Sequence, residues 1–331
     1  MNRLRRQLLL AGSFSAASVA LPFSHAADVS SWPGRAVRFI VPYPPGGSAD
    51  IIARLIQTRL APKLGQPVVV ENKTGAGGNV GTDFVAKAPA DGYTILLAGG
   101  GPMAVAKALY GDTLTYDPAR DLRGVVQLAE FPMVLLVNPK AVDARSPAEF
   151  IKWVKEGPES RRTFGSAGAG TPQHLLTEYF ARQFGLKLTH VPYRGSAPTV
   201  QAVIAGEVPF AFETLTASLQ QIRGGTIRAL AVSTGSRAEQ ISDVPTIAET
   251  VSPRFHFGTW SGIACPRGTP DAVVLKLNQA LQEILREPDT SAKWHALGAR
   301  VAGGTAAEFD VFLRSETERL GGLVATLGLK A

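Results

Sequence analysis

The sequence predicts an α/β protein of two domains, and three observations carry that expectation. Short apolar, β-branched runs alternate with glycine-rich loops and stretches of helical spacing three times before residue 110. That alternation implies a parallel sheet covered by helices. The same unit returns in the second half of the chain, at 163–180. At 331 residues and 35.0 kDa, the chain is also long enough for two cores of ordinary size.

The chain is organised around residues 35–60. Val37–Val41 is apolar and β-branched, so it reads as a buried strand. Pro42, Pro44 and Pro45 end it, because proline cannot donate to a sheet ladder. Gly46-Gly47 brings bare backbone into a sharp turn, Gly47 or Ser48 caps a helix, and Asp50 stands in that helix's first turn. Ile51, Ile52, Leu55, Ile56 and Leu60 supply its apolar face. A strand end, a glycine turn and a helix start together make a general anion site. Gly-Lys-Ser/Thr is absent, so this is not a nucleotide P-loop. The stretch reads as half of a carboxylate trap, with Asp50 expected to turn toward its own loop.

A second strand covers 67–71, and the loop from Asn72 to Gly81 follows it. That loop fails the dinucleotide fingerprint, since Val80 stands where a glycine is required. It reads equally as a plain turn or as a second surface of the same cleft. A third strand at 93–97 leads through Ala98-Gly-Gly-Gly-Pro102 into a helix at 103–109. Strands are expected at 125–128 and 133–137, and Ser146-Pro-Ala-Glu149 is a helix start with a capping serine and proline at N1. Thr163–His174 then repeats the physics of the first loop, with Thr171 as cap and Pro172 at N1. A further strand and turn is expected over 189–195, and strands at 208–212, 227–232 and 259–264. Helices are expected at 198–204, Asp271–Arg286 and Ala306–Leu327. A first domain of 27–127 plus 255–331, with 128–254 inserted, would place a two-crossing hinge between them.

The N-terminus carries a leader pattern: Arg3, Arg5 and Arg6, an apolar run at 8–21, and Ser24-His25-Ala26 as a cleavage site. The mature chain is expected to start near Ala27 and to be exported, by the Sec route or, from Arg5-Arg6, the twin-arginine route. Removing three arginines leaves a net charge of 7 − 3 = +4, mildly basic and suited to anionic ligands. Basic runs with interleaved aromatics are absent, which argues against nucleic acid. One cysteine, Cys265, precludes an internal disulfide. The five histidines show no metal-ligand spacing, and neither metal nor cofactor is expected. Trp153, Trp260 and Trp294 are read as core or hinge residues, and Arg194 as solvent-facing.

Taken together, the motifs resemble the Bug-type solute receptors of the tripartite tricarboxylate transporter family. Those carrying the resemblance are Pro42-Tyr-Pro-Pro-Gly-Gly-Ser-x-Asp50, Val68-Val-Val-Glu-Asn-Lys-x-Gly-Ala-Gly-Gly-Asn79 and Ala88-Pro-Ala-Asp-Gly-Tyr-Thr94. They continue with Gly165-Ser-x-Gly-x-Gly-Thr-x-x-His174, His190-Val-Pro-Tyr-Arg-Gly195, Trp260-x-Gly262 and Pro266-x-Gly-Thr-Pro270, in order along the whole mature chain. The resemblance implies a type II-like periplasmic binding protein of two lobes, monomeric. It would close on a di- or tricarboxylate, an acidic amino acid or an aromatic acid and deliver it to transmembrane transporter subunits. It also implies that Tyr43 packs on the ligand while Gly46, Gly47 and Ser48 donate to it. Ser166, Ala167, Gly170, Thr171 and His174 would answer from the other lobe, with Gly77, Asn79, Gly99, Tyr193 and Glu213 completing the ligand-binding set. Two departures stand out: Ala98–Met103 carries no side-chain donor, and glutamate stands at 213 where the family often has aspartate.

Two other functions would use the same residues or the same fold. A hydrolase built on Ser166, His174 and Glu213 lacks the nucleophile elbow, since Phe164 stands where glycine is needed. A ligand-sensing partner of a membrane sensor kinase would keep the same fold and pocket.

Overall fold

The computed structural model describes residues 31–330. The leader, with its cleavage site at Ala26, lies outside the described residues. Met1–Trp32 forms one unit, of which only Ser31 and Trp32 are described, and Pro33–Ala331 forms the other.

Within the second unit the strands are β1 (Val37–Val41), β2 (Val68–Asn72), β3 (Thr94–Gly99), β4 (Leu122–Val137), β5 (Thr163–Ser166), β6 (Thr189–Pro192), β7 (Phe210–Thr214), β8 (Arg228–Val232), β9 (Gly258–Pro266) and β10 (Arg300–Gly303). The longer helices are α1 (Ser48–Leu64), α2 (Asn79–Ala86), α3 (Pro147–Glu156), α4 (Pro172–Phe184), α5 (Ser196–Ala205), α6 (Leu215–Arg223), α7 (Asp271–Arg286), α8 (Pro288–Ala296) and α9 (Ala306–Leu327). α6, α8 and β10 are additions to the expected elements. A π-helical turn, Gly101–Val105, follows β3 in place of the expected regular helix start.

The sheet is mixed rather than dominated by parallel pairs. β1 pairs in parallel with β2 and β3, and β5 in parallel with β6 and β7. β9 runs antiparallel to β3, and β4 runs antiparallel to β7, β8, β9 and β10. The expected strands at 125–128 and 133–137 are one 16-residue strand, β4. Pro132 does not break it because it sits where β4 changes partners. Pro132 is the last residue paired with β9, and Met133 the first paired with β7. A residue at that handover needs no ladder N–H.

β4 therefore ties two parts of the sheet together. Its first portion lies between β9 and β10, and its last between β7 and β8. The core around the second part contains Phe150, Phe164, Phe180, Phe210 and Phe212. Phe150 meets Phe210 edge-on at 4.8 Å between ring centroids, a favoured aromatic geometry. Leu320 and Val324 of the C-terminal helix, with Ala104, Val105 and Leu109 from the segment after β3, complete this core. Helix starts follow the expected chemistry: the Ser146 hydroxyl accepts from the Glu149 amide at α3, and Thr171 accepts from His174 at α4. Such caps contribute about 1 kcal/mol each.

Candidate functional site

β1 ends in the Pro42–Pro45 turn, and Gly47 becomes the N-cap of α1 with extended backbone and no side-chain acceptor. The first amides of α1 thus have no capping partner. Asp50 in the first turn would oppose an anion there, but its carboxylate faces the loop. It accepts from the Gly46 amide at 3.1 Å, from Asn72 at 3.0 Å and from Arg54 at 2.9 Å. Burial works to raise the Asp50 pKa, yet these donors outweigh it and hold the carboxyl below the usual range.

These first residues of α1 form one wall of a cavity. Tyr43, Gly47, Ser48, Gly99, Gly100 and Ser261 line it from the side of β1, β3 and β9; Ala167, Gln173, Ser196 and Thr214 line it from the side of β5 and β7. Phe131 and Trp260, on the two strands joining the parts, lie at its back. Among the described residues, no charged side chain lines it. Thr214 and Ser261 are both buried and present hydroxyls with no hydrogen-bond partner. Buried hydroxyls are normally satisfied, so such groups on a cavity wall point to a polar occupant.

Three helices begin at this cavity without a side-chain cap: α1 after Gly47, α5 after Gly195 and α6 after Thr214. α4 begins there too, through Pro172 and Gln173. Each helix start carries about half a positive charge. The field in the cavity is thus positive although its lining has no cation, an arrangement suited to an anion held by amides and hydroxyls.

The structure brings some of the sequence-derived candidates to this cavity and leaves others elsewhere. Tyr43, Gly47, Ser48, Gly99 and Ala167 line it; Gly46, Gly77, Asn79, Ser166, Gly170, Thr171, His174, Tyr193 and Glu213 do not. Most of the second group hold the walls in place. Asn79 accepts from the Tyr116 hydroxyl at 2.9 Å, and the Tyr193 hydroxyl donates to Glu207 at 3.1 Å. Gly77 accepts from the Tyr43 hydroxyl at 3.2 Å through its carbonyl. A Cβ on Gly77 would lie 2.4 Å from the Ala169 carbonyl, and its φ of +64° is one that glycine adopts without strain. The 75–78 loop therefore presses on the 166–171 loop instead of lining the cavity. Arg194 is exposed.

The 166–171 loop is knotted to its own surroundings. Thr171 donates to the Gly168 carbonyl at 2.7 Å, and the Gly170 amide donates to His174 Nδ1 at 3.3 Å. The Ser166 hydroxyl is fully buried, accepts from the Gly168 amide at 3.1 Å and lies 2.6 Å from His190 Nε2. His174 and His190 stack with centroids 4.0 Å apart, and Phe164 covers His190 at 5.0 Å. Burial lowers His174 to about 4; burial, then the charge of His174, lowers His190 to about 3.

Ser166, His174 and Glu213 do not assemble as a nucleophile, base and orienting acid. The serine pairs with His190 instead, no carboxylate orients that ring in an ion pair, and its depressed basicity makes it a poor proton acceptor at neutral pH. Burial pushes the Cys265 thiol up to about 11, which removes it as a nucleophile. Among the described residues, no three His, Cys, Asp or Glu side chains stand together as metal ligands.

Gln173, Ser196, Thr214, Thr259, Trp260 and Ser261 are cavity residues that the sequence reading missed. For one of them a signal existed. Gly195-Ser196 repeats Gly47-Ser48 as an uncapped glycine followed by serine at the first helical position. Starting that helix at Pro198 hid the repetition.

Glu213 lies just behind the wall. It is fully buried, its Oε2 accepts from the Thr214 amide at 3.0 Å, and its Oε1 has no partner. Burial raises its carboxyl to about 7, against smaller opposing effects from Ser196, Thr214 and Gln173.

Comparison with known proteins places this geometry. Residues 52–329 match the model of the tripartite tricarboxylate transporter family receptor, TctC. BugT of Bordetella pertussis is 36% identical over 331 residues, covering 100% of this chain and 99% of that protein. The solved structure of Rpa4515 from R. palustris with adipate superposes with a TM-score of 0.87 at 35% identity, over 91% of this chain and 100% of that one. MatC from Rhodopseudomonas palustris with bound malate gives 0.84 at 31%, over 88% and 100%. The family is one of receptors and not of enzymes, and with its match over most of its length this chain belongs to the tripartite tricarboxylate transporter receptor family.

Proposed function

We propose that this protein captures a small organic carboxylate in the cavity between the two parts of its sheet and delivers it to transmembrane subunits of a tripartite transporter. The observation that carries the reading is the convergence of three uncapped helix starts on a cavity without charged side chains. A carboxylate there would take hydrogen bonds from the first amides of α1 and from the hydroxyls of Ser196, Thr214 and Ser261, with Tyr43 and Trp260 packing on its carbon chain. Adipate and malate in the two solved relatives favour a dicarboxylate. The narrow glycine stretch Gly99–Gly100, free of side chains, leaves room along β3 for the chain of such a ligand.

In this reading, lobes of 27–127 plus 255–331 and of 128–254 close around the ligand. Gly77 against Ala169, and Gly47 against Ser196, form the seam. The leader pattern at 1–26 would send the mature chain to the periplasm, where it would act as a monomer. The test is titration calorimetry of the purified mature chain with malate, adipate and monocarboxylate controls, beside a thermal-shift series. Saturable one-to-one binding, with a melting point that rises with ligand concentration, is the expected result. Tight binding of a neutral sugar with none of any carboxylate would refute the proposal.

A further inference from the structure

We infer that this receptor takes up a proton together with its dicarboxylate ligand, and that Glu213 holds it. The inference rests on the carboxylate reading above and deepens it. Glu213 is enclosed by residues of the cavity wall: Gln173 and Ser196 lie against its carboxyl, and Tyr43 is close enough to sense its charge. Ser196, Gln173 and Thr214 turn side-chain donors toward this carboxyl, and they oppose burial without overcoming it. Gln173 also donates to Ser196 at 3.3 Å, and Glu213 Oε1 itself has no partner at hydrogen-bond distance.

Among the described residues, no cation answers this carboxyl from the elements packed around it. On β4, Val134 stands opposite Glu213 in the register. β5 ends in Gly165 and Ser166, and α5 contributes Ser196. α4 contributes Gln173; the next residue, His174, accepts from Gly170 and is held neutral by burial. The first basic residue of α6 is Arg223, at its far end. The one other titratable neighbour, Tyr43, becomes negative if ionised, and burial and the Glu213 charge both oppose that.

An arriving carboxylate thus meets a second carboxyl with no side-chain cation to separate them, and the two compete for the same helix-start amides. Two carboxylates in a shared low-dielectric site do not both stay ionised; one pKa rises sharply. A protonated Glu213 is neutral, its O–H is a donor, and burial already favours that state near pH 7. The bound complex would then hold one proton that the free protein, above neutrality, does not. No covalent bond changes: the proton comes from solvent and returns to it on release.

The experiment is titration calorimetry with adipate and with malate between pH 5.5 and 8.5, in buffer pairs of different ionisation enthalpy. The wild type should bind with little proton uptake at pH 5.5, rising toward one proton per ligand at pH 8.5. Its affinity should fall by up to about tenfold per pH unit above pH 7. Glu213→Gln keeps the neutral shape and should bind with a flat pH profile and no uptake. Binding by the wild type with no proton at any pH overturns the inference and leaves the carboxylate reading standing, as does uptake that survives in Glu213→Gln. Failure of both probes to bind at any pH overturns the carboxylate reading and this inference with it. The wild-type pH slope decides the matter even if Glu213→Gln does not fold.

Discussion

The loops at 43–48 and 166–171 look alike in sequence and act differently in the structure. Both follow a strand, both are rich in glycine, and both lead into a helix. The first is braced from behind by Asp50, Asn72 and Arg54, which leaves its front open, and four of its residues, Tyr43, Pro44, Gly47 and Ser48, line the cavity. The second has its hydroxyls and amides tied to one another and to a stacked pair of histidines, one buried and one half-buried, and only Ala167 reaches the cavity. The second side's polar groups come instead from Gln173, Ser196 and Thr214. The lesson is that a polar loop residue serves a ligand only when the fold leaves its hydrogen bonds unspent.

The largest test of this asymmetry is size at the open loop. A side chain on Gly47 would point at Ser196 and Ala197, the nearest atoms across the cavity. Gly47→Trp should abolish adipate or malate binding, a loss of at least 1000-fold or about 4 kcal/mol in calorimetry. Its melting point without ligand should stay that of the wild type. Retained affinity would place the ligand elsewhere.

The next effect is on pH. Glu213 rises from 4.5 to about 7 on folding, so the folded state binds the extra proton. Its stabilising contribution is complete below pH 4.5 and is lost as pH climbs through 7, at most about 3 kcal/mol. His174 and His190 fall from 6.5 to about 4 and about 3, so their contribution is present above pH 6.5 and is lost as pH drops toward 3. Denaturant titrations across pH 4 to 8.5 should show a maximum between these arms. Glu213→Gln should flatten the alkaline arm alone; a symmetric loss of both arms would contradict the assignment.

A smaller effect separates scaffold from ligand site at the closed loop. Ser166→Ala removes hydrogen bonds within the loop and should cost about 1–2 kcal/mol in a urea titration. Affinity for adipate or malate should stay within about threefold of wild type. A hundredfold loss of affinity at unchanged stability would return Ser166 to the ligand. The smallest effect is expected from Gly47→Ala. Gly47 has extended backbone, and a Cβ there would meet Ser196 at an ordinary 3.7 Å. Binding within about twofold of wild type, the change of an ordinary surface substitution, would show that the turn needs small size and not a glycine-only conformation.

Local signals were legible wherever the chemistry is local. β1, α7 and α9 lie where periodicity put them, and the caps at Ser146 and Thr171 form as residue type required. Strand direction was not legible: β4 runs through Pro132 because its partners change there, and partners come from distant parts of the chain. The cavity was half legible. Gly47 and Ser48 follow from their own turn, whereas Thr214 and Ser261 matter only because β7 and β9 bring their unpaired hydroxyls to one space.

By itself, then, the sequence determined most of the helices and strands, the starts of the helices with side-chain caps, and which family the chain resembles. Those depend on neighbours a few residues apart. Only the tertiary structure decided which helix starts face one another, which polar groups are already satisfied, and that Glu213 is enclosed without a cation. Each of these is a relation between groups far apart in the chain, and burial, which sets the value of every charge and hydrogen bond, exists only once the chain has folded.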